Sequence, residues 1–555
     1  MTATTATNSL ATVLQTRIFK PFLARLRANP AGTAGELVIL YVLYGAISRL
    51  LRRLIGRGVL STLKSLGNAA TVRIIRLVRL LSPAADAKIQ AEIDKSAKGI
   101  ISHMIKDVEG EQRFLALPSE GMTQDELMQH LTRRQKEGTV EWEKGRVSGG
   151  IYHGGKELFD RALKAYEMFA FSNPLHPDVF PGLRRMEAEI VAMVLKMYNA
   201  HDKCEGCTTS GGTESIMLSV RAHLVYAKRY RGVTKPEMLV PVTAHSAFHK
   251  AAEYMNIELI PVPVDQHSQK ADLAFIKRNI SSQTIMLVGS AYGFPHGIID
   301  DIVPLGRLAK QYNTGLHVDC CLGGFILPFM EKAGFTDLPL FDFRVPGVTA
   351  VSCDTHKYGF APKGSSVIMY SSNKLRRCQY FVQADWTGGI YACPNITGSR
   401  PGALLAGCWA AMMTMGERGY VDSTRQIVTT ARAIAATIRR DFPELHVIGD
   451  PLGSVVAFGS RSLNVMMVGD AMSYRGWSLN SMQNPPAVHI ACTMLTIPVL
   501  DDFVRDLRSS VDEVVQHPER FNKGATAMYG VAGSIPDKSM IDEVAGAFVD
   551  ALFMA

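Results

Sequence analysis

A chain of 555 residues, 47% of them hydrophobic, can bury a large core, and its length calls for two or more domains. Its formal net charge of +9 comes from 60 basic and 51 acidic residues that are well mixed. That balance suits an anionic substrate or a membrane surface, and it lacks the basic stripe that binds nucleic acid.

The first thirty residues are rich in Thr and Ala and then turn basic at Arg17, Lys20, Arg25 and Arg27. The stretch from Leu37 to Ser48 is uncharged and mostly apolar, and Leu50 and Leu51 extend it past Arg49. A bilayer span needs about 20 apolar residues, so this one is short and would place Glu36 and Arg49 near the interfaces. Arg49, Arg52, Arg53, Arg57 and Lys64 crowd its C-terminal side, which puts the rest of the chain in the cytosol. A buried or interfacial helix is the competing reading. Residues 54–81 carry Arg73, Arg76 and Arg79 at helical spacing among Leu, Ile and Val, as in a basic amphipathic helix that lies on a membrane or packs on the main domain.

Beyond residue 140, helices and short apolar runs alternate. A helix is expected from Glu214 to Arg231, stopped by Gly232. Strands are expected at 238–242, 259–264, 284–289, 315–319, 348–353 and 365–370, with helices near 271–280 and 299–313 between them. Such alternation predicts an α/β fold with a mostly parallel sheet flanked by helices. A long helix over Ser423–Arg440 then opens a smaller α+β domain. The expected division is a tail and anchor at 1–60, a helical arm at 61–140, a large domain at 141–424 and a small domain at 425–555. Nine cysteines form no even framework, and Cys320 and Cys321 are adjacent in an apolar run, which points to a reducing compartment. Cys204 and Cys207 form a CxxC with no second pair to complete a zinc site, so no metal is expected.

Four features carry chemistry. In Asp354-Thr355-His356-Lys357-Tyr358-Gly359 a lysine follows a predicted strand and is hemmed by aromatic and small residues. Lost solvation there would lower its amine and suit Schiff-base formation. Asp319 ends the predicted strand Gly315–Asp319, where a carboxylate is costly unless paired, and a protonated pyridine nitrogen is a suitable partner. Thr208–Ser215 is small, Gly-rich and opens a helix, so its amides and hydroxyls can hold a phosphate. His245 follows a strand and can stack on an aromatic ring. Taken singly, each has a bland alternative: a surface lysine, a helix cap, a satisfied core histidine. Together they point to pyridoxal 5′-phosphate.

In this order the four resemble the aspartate-aminotransferase-type fold (fold type I) of pyridoxal-phosphate enzymes. Over nearly its whole length the chain resembles the sphingosine-1-phosphate lyase family. The matching runs are Gly149-Gly-Ile-Tyr-His-Gly-Gly155, Phe171-Ser-Asn-Pro-Leu-His-Pro-Asp178, Thr387-Gly-Gly-Ile-Tyr391, Gly398-Ser-Arg-Pro-Gly402 and Gly476-Trp-Ser-Leu479, with Gln483 and His489. The resemblance implies Lys357 as the Schiff-base lysine, Asp319 on the pyridine nitrogen and His245 on the ring. It places Gly211, Gly212, Thr213 and His356 around the cofactor phosphate, and implies a homodimer in which Ser399 reaches in from the partner. Tyr152, Asn173, His176, Lys363 and Tyr391 match positions that handle the substrate phosphate and the reacting hydroxyl, with Tyr152, His176 and Tyr391 counted as catalytic beside Lys357. The implied reaction cleaves a phosphorylated long-chain base at C2–C3, on an endoplasmic reticulum membrane with the catalytic domain facing the cytosol. An amino-acid decarboxylase, which shares the lysine region, is the alternative.

Overall fold

The computed structural model describes residues 58–105, 113–138, 140–521 and 538–554, with scattered positions between 28 and 56. The chain divides into two units, 1–81 and 82–555.

In the first unit, helix α1 covers Val59–Leu81, and Thr62 Oγ1 donates to Gly58 O at 2.8 Å. Most of its described apolar side chains, among them Leu63, Ile74, Leu77, Val78 and Leu80, are exposed, and so is Arg73, while Ile75 is half-buried. Half of the apolar run at 37–48 lies outside the described residues. Among the described residues no helix is long and apolar enough to cross a membrane. The expected span therefore finds no support, in keeping with a run that is short and bounded by Glu36 and Arg49.

The second unit opens with α2 (Pro83–Met104) and α3 (Gln124–Gln135). At α3, Thr123 and Glu126 cap each other's backbone N–H groups. Helices α4 (Lys156–Met168) and α5 (Pro181–Met197) lead into the large sheet. Its elements run β1 (Glu205–Thr209), α6 (Gly212–Arg231), β2 (Glu237–Pro241), α7 (Ala247–Tyr254), β3 (Glu258–Val262), α8 (Leu273–Asn279), β4 (Thr284–Ser290), α9 (Ile302–Gln311), β5 (Gly315–Asp319), β6 (Ala350–Cys353) and β7 (Ser366–Tyr370). The order across the sheet is β1-β7-β6-β5-β4-β2-β3. Strands β3, β2, β4, β5 and β6 are parallel, while β7 runs antiparallel to both β6 and β1. The sheet is thus mixed through one reversed strand. Strands β2, β4, β5, β6 and β7 are buried at every position, which is why they read as unbroken apolar runs. Edge strand β3 tolerates Pro261 and an exposed Glu258.

After β7 come α10 (Asn373–Arg377) and the hairpin β8 (Phe381–Gln383) and β9 (Tyr391–Cys393). Helix α11 then runs from Gly402 to Asp441, kinked at Gly416. The expected helix at 423–440 is its second half, and the boundary expected after residue 424 falls inside it. Strands β10 (Leu445–Val447), β11 (Val455–Ser460), β12 (Asn480–Met482) and β13 (Ala487–Ala491) form an antiparallel sheet in the order β10-β11-β13-β12. Helices α12 (Val465–Tyr474) and α13 (Leu500–Gln516) pack together beside it, and α14 (Lys538–Ala551) packs on α2.

This small sheet holds two loops of the large domain. Ser148 Oγ accepts from Ala491 N at 2.9 Å and from Asn480 Nδ2 at 2.8 Å, and Gly149 N donates to Ala491 O at 3.0 Å. Gly149 and Gly150 both have positive φ, so the chain turns there in a way that suits only glycine and delivers Tyr152 inward. Tyr358, next to Lys357, donates to Cys492 O at 2.7 Å and accepts from Ser454 Oγ at 2.6 Å. Ser454 in turn accepts from Tyr292 at 2.5 Å. Each such buried bond contributes about 1 kcal/mol, and losing one partner leaves the other unsatisfied.

Candidate active site

Lys357 lies in the turn after β6. That turn is stitched by Thr355 Oγ1 to Ser365 Oγ at 2.5 Å, by His356 Nδ1 to Ser365 O at 2.5 Å and by Tyr420 Oη donating to Gly359 O at 2.8 Å. Lys357 Nζ pairs with Asp354 Oδ2 at 2.9 Å, and Asp354 is only 2% exposed. Burial pulls the ammonium down, but the Asp354 carboxylate, helped by Cys321 and Tyr152, outweighs it and raises the amine above its usual range. The expected lowering is therefore reversed here, because a carboxylate that the sequence reading had given no role sits against the amine.

The phosphate loop leaves β1 and opens α6. Gly211 has φ 156 and ψ 172, a backbone region that only glycine adopts readily. A Cβ on Gly212 would come within 2.8 Å of Cys321 Sγ and 2.9 Å of Asp354 Oδ2, so this position admits no side chain. Glu214 accepts from Ser210 N at 2.7 Å and from Ile396 N at 3.0 Å, tying the loop to residues beyond β9. The first-turn amides of α6 have no partner within the helix and face an anion naturally.

Asp319 closes β5. Its Oδ1 accepts from Cys321 N at 3.0 Å and Ser352 Oγ at 3.2 Å. Burial opposes its charge, but His245, His317 and the Cys321 N–H hold the carboxyl below its usual range. His245 Nδ1 accepts from Ala247 N at 3.1 Å, which orients the ring. A cavity of about 330 Å³ joins the Ser210–Glu214 loop, His245, Cys321, Asp354, His356 and Lys357. A phosphate cradle, a flat ring to stack and a lysine line one space, while the ionised Asp319, bonded to Cys321 N, lies outside that lining; this donor set fits pyridoxal phosphate.

Tyr152 and Lys363 stand beside this cavity. The Tyr152 ring meets Tyr358 edge-on at 4.7 Å, and Lys363 Nζ lies 4.6 Å from the centre of the Tyr152 ring. Burial raises the Tyr152 hydroxyl, with Lys357 opposing. Burial and then Lys357 lower the Lys363 amine.

The remaining expected residues gather elsewhere. Asn173 Nδ2 donates to Ser399 Oγ at 3.1 Å, its Oδ1 accepts from Arg400 N at 3.2 Å, and His176 N donates to Asn173 O at 3.1 Å. Tyr391 stands among Phe381 and Trp386, with its hydroxyl against Gly398. Within one chain this second cluster of Asn173, His176, Tyr391 and Ser399 does not line the cavity around Lys357. Sequence reasoning missed the parts played by Asp354, Glu214 and Cys321. Asp354 had one visible signal, a carboxylate directly after an apolar strand, as at Asp319.

The family described as the pyridoxal-dependent decarboxylase conserved domain matches residues 171–461. A Saccharomyces cerevisiae protein, sphingosine-1-phosphate lyase, is 46% identical over 484 residues, spanning 86% of this chain and 82% of the yeast protein. Rattus norvegicus sphingosine-1-phosphate lyase 1 is 42% identical over 483 residues, spanning 87% of this chain and 84% of its own. Among solved structures, a Burkholderia pseudomallei sphingosine-1-phosphate lyase superposes with a TM-score of 0.71 at 38% identity, covering 74% of this chain and 95% of that one.

Replacing Lys357 by Ala should abolish both turnover and the visible absorbance of bound cofactor, because no other amine shares the cavity. Spectroscopy of the reconstituted variant checks this, and an unchanged spectrum with turnover retained would remove Lys357 from the chemistry.

Proposed function

The chain belongs to the sphingosine-1-phosphate lyase family of pyridoxal-dependent enzymes, and on that premise we propose that it cleaves phosphorylated long-chain bases between C2 and C3. The products are a long-chain aldehyde and phosphoethanolamine. The geometric observation that carries this reading is Lys363, a second cation held over Tyr152 beside Lys357. A lysine ammonium is a compact point charge suited to a second phosphate.

Pyridoxal phosphate, when bound, supplies an electron sink for the carbon–carbon cleavage. The α6 N-terminus with Ser210–Thr213 and His356 would hold its phosphate. Asp319 would favour a proton on the ring nitrogen, and His245 would lie against the ring. Lys357 would provide the amine that anchors the cofactor. Tyr152 Oη and Lys357 Nζ are the two groups placed to take the proton of the substrate's C3 hydroxyl. The tight packing of Tyr152 against Tyr358 keeps that hydroxyl in one place, which proton transfer requires.

Lys363→Ala should spare cofactor binding and weaken cleavage of the phosphorylated substrate about tenfold or more, since a charge-assisted contact contributes roughly 1.5–3 kcal/mol. Kinetics on phosphorylated and unphosphorylated bases, with identification of the aldehyde, check this. Equal turnover of both by the wild type, or release of carbon dioxide in place of an aldehyde, would favour the decarboxylase alternative.

The enzyme acts as a homodimer in this reading, with Tyr391 and Ser399 of each chain serving the partner's site. The second cluster is set apart from Lys357 within one chain, and apolar side chains around it stand in solvent: Phe171 is 98% exposed and Ile390 80%, with Phe381 and Trp386 nearby. Patches of this kind mark interaction surfaces. Mixing Lys357→Ala with Tyr391→Phe chains should restore roughly a quarter of wild-type activity, because half of the dimers carry one intact site. No recovery after subunit exchange would show that each chain builds its site alone.

The N-terminal segment attaches the enzyme to a membrane, the endoplasmic reticulum, with the catalytic domain in the cytosol. The support is the apolar stretch at 37–48 and its basic flank. Deleting residues 1–55 should move the protein from the membrane pellet to the supernatant and keep turnover of a short-chain soluble substrate. A truncated protein that still sediments with membranes would place the attachment elsewhere.

A further inference from the structure

A chain of buried polar side chains ends on Asp319 and links α6, β5 and β6. Asp319 of β5 is paired in register with Ser352 of β6, and Ser352 Oγ lies 3.2 Å from Asp319 Oδ1. The same Ser352 Oγ is 3.1 Å from His317 Nε2 and 3.2 Å from Cys321 Sγ. His317 Nδ1 is 2.8 Å from Ser219 Oγ of α6. Ser219 O is in turn 2.8 Å from His223 Nδ1. Ser219, His317 and Ser352 are fully buried, and His223 is nearly so.

Such groups are costly in a core unless each is bonded. His317 stands between Leu316 and Val318 on a strand buried at every position, with its ring edge-on to Phe248 at 5.5 Å. An apolar residue would suit that place for packing alone. The hydrogen bonds of His317 lead instead to Ser352 on one side and Ser219 on the other.

The partners fix where each proton sits. Burial pushes His317 and His223 down to about 4, so both rings are neutral near pH 7 and each carries one N–H. The Asp319 carboxyl, held below its usual range against burial, is an anion there. Ser352 has a single proton, and a charged carboxylate is its strongest acceptor, so Ser352 donates to Asp319. Ser352 Oγ then accepts from Cys321 Sγ and from His317, whose proton is therefore on Nε2. His317 Nδ1 is left as an acceptor. The carbonyl of Ser219 can only accept, so His223 donates to it from Nδ1, and the Ser219 hydroxyl is free to donate to His317 Nδ1. The donors from Ser219 onward all run toward Asp319. The two bonds that Asp319 receives, from Ser352 Oγ and Cys321 N, both fall on Oδ1. Neither uses Oδ2.

We propose that Ser352, oriented by His317 and Ser219, is a positioning residue for the cofactor: it fixes Asp319 through Oδ1, so that Oδ2 is the oxygen offered to the pyridine nitrogen, and offered only as an acceptor. An acceptor in that place favours a proton on the ring nitrogen, and the protonated ring is the better electron sink. A network satisfied in this way holds one geometry and one direction of donation. The proposal rests on the assignment of pyridoxal phosphate to this cavity.

The test uses the full-length enzyme loaded with pyridoxal phosphate whose ring nitrogen is isotope-labelled. By nitrogen NMR the wild type should show a protonated ring nitrogen. Ser352→Ala removes the donor to Asp319 and leaves the His317 N–H and the Cys321 S–H without their acceptor. Its ring-nitrogen signal should move toward that of unprotonated pyridine, and it should bind the cofactor about tenfold more weakly, the effect of losing one bond to a charged group. A residue that only fills space would not move that signal. Loaded Ser352→Ala with the wild-type signal overturns the proposal and leaves the cofactor assignment intact. If that variant does not fold, wild type alone decides: neutron diffraction from its crystals should place a deuteron on His317 Nε2 and none on Nδ1. A deuteron on Nδ1 of His317 reverses the chain and overturns the proposal. Failure of the wild type to gain cofactor absorbance overturns the cofactor assignment, and the proposal with it.

Discussion

Charge is expensive to bury, and this chain buries two carboxylates and half-buries a lysine within a few residues of two neighbouring strand ends. Asp319 closes β5, while Asp354 and Lys357 follow β6. A sheet covered on both faces favours the ends of its strands for such groups, since its interior positions are mostly apolar. The parallel register of β5 and β6, pairing Asp319 with Ser352, sets the two acids side by side in the fold. The cavity exists because these charges need partners. Lys357 answers Asp354, backbone and hydroxyl donors answer Asp319, and the amides of α6 leave room for an anion. The doubly wound arrangement thus produces a binding crevice at its carboxyl edge for reasons that precede any particular reaction.

The small C-terminal sheet acts on this crevice from a distance. It contributes no residue to the cavity lining, yet it holds two loops beside it: Ser148 for the Tyr152 loop and Tyr358 for the Lys357 turn. Two loops on one rigid sheet keep a fixed spacing, and proton transfer between their side chains depends on that spacing. The chain Tyr292–Ser454–Tyr358–Cys492 runs hydroxyl to hydroxyl to carbonyl, with every donor directed. A buried network satisfied in this way holds one geometry more firmly than apolar contacts would.

Much of the sheet was legible in the sequence because strands buried on both faces give unbroken apolar runs. Gly315–Asp319 was read to the residue for that reason. The reversal of β7 was not legible, because its direction is decided by pairing with β1 and β6 and not by its own side chains. Helix α11 was read from its second half alone; the first half joins it across a kink at Gly416, whose backbone is non-helical. Lys357, Asp319, His245 and the phosphate loop were singled out in the sequence because each carries a chemistry suited to one part of the cofactor. Asp354 was overlooked because its meaning lies in Gly212 and Cys321, which reach it only through the fold. Asn173 and Ser399 were recognised separately, and nothing local in either sequence predicts that their side chains bond to each other.

The two lysines of the loop show how environment separates identical side chains. Lys357 sits against Asp354, and its ammonium is favoured despite burial. Lys363, a few residues on, has no carboxylate partner among the described residues and rests on the face of Tyr152, with its nearest acceptor, His356 O, at a long 3.5 Å. Burial and the neighbouring Lys357 both work against its charge. A cation in that position is incomplete by itself, and an anion arriving from solution relieves it. Lys357 is complete until its proton is taken. One lysine is therefore arranged to receive a charged ligand and the other to be uncovered for bond formation, and the difference rests on which of them Asp354 can reach.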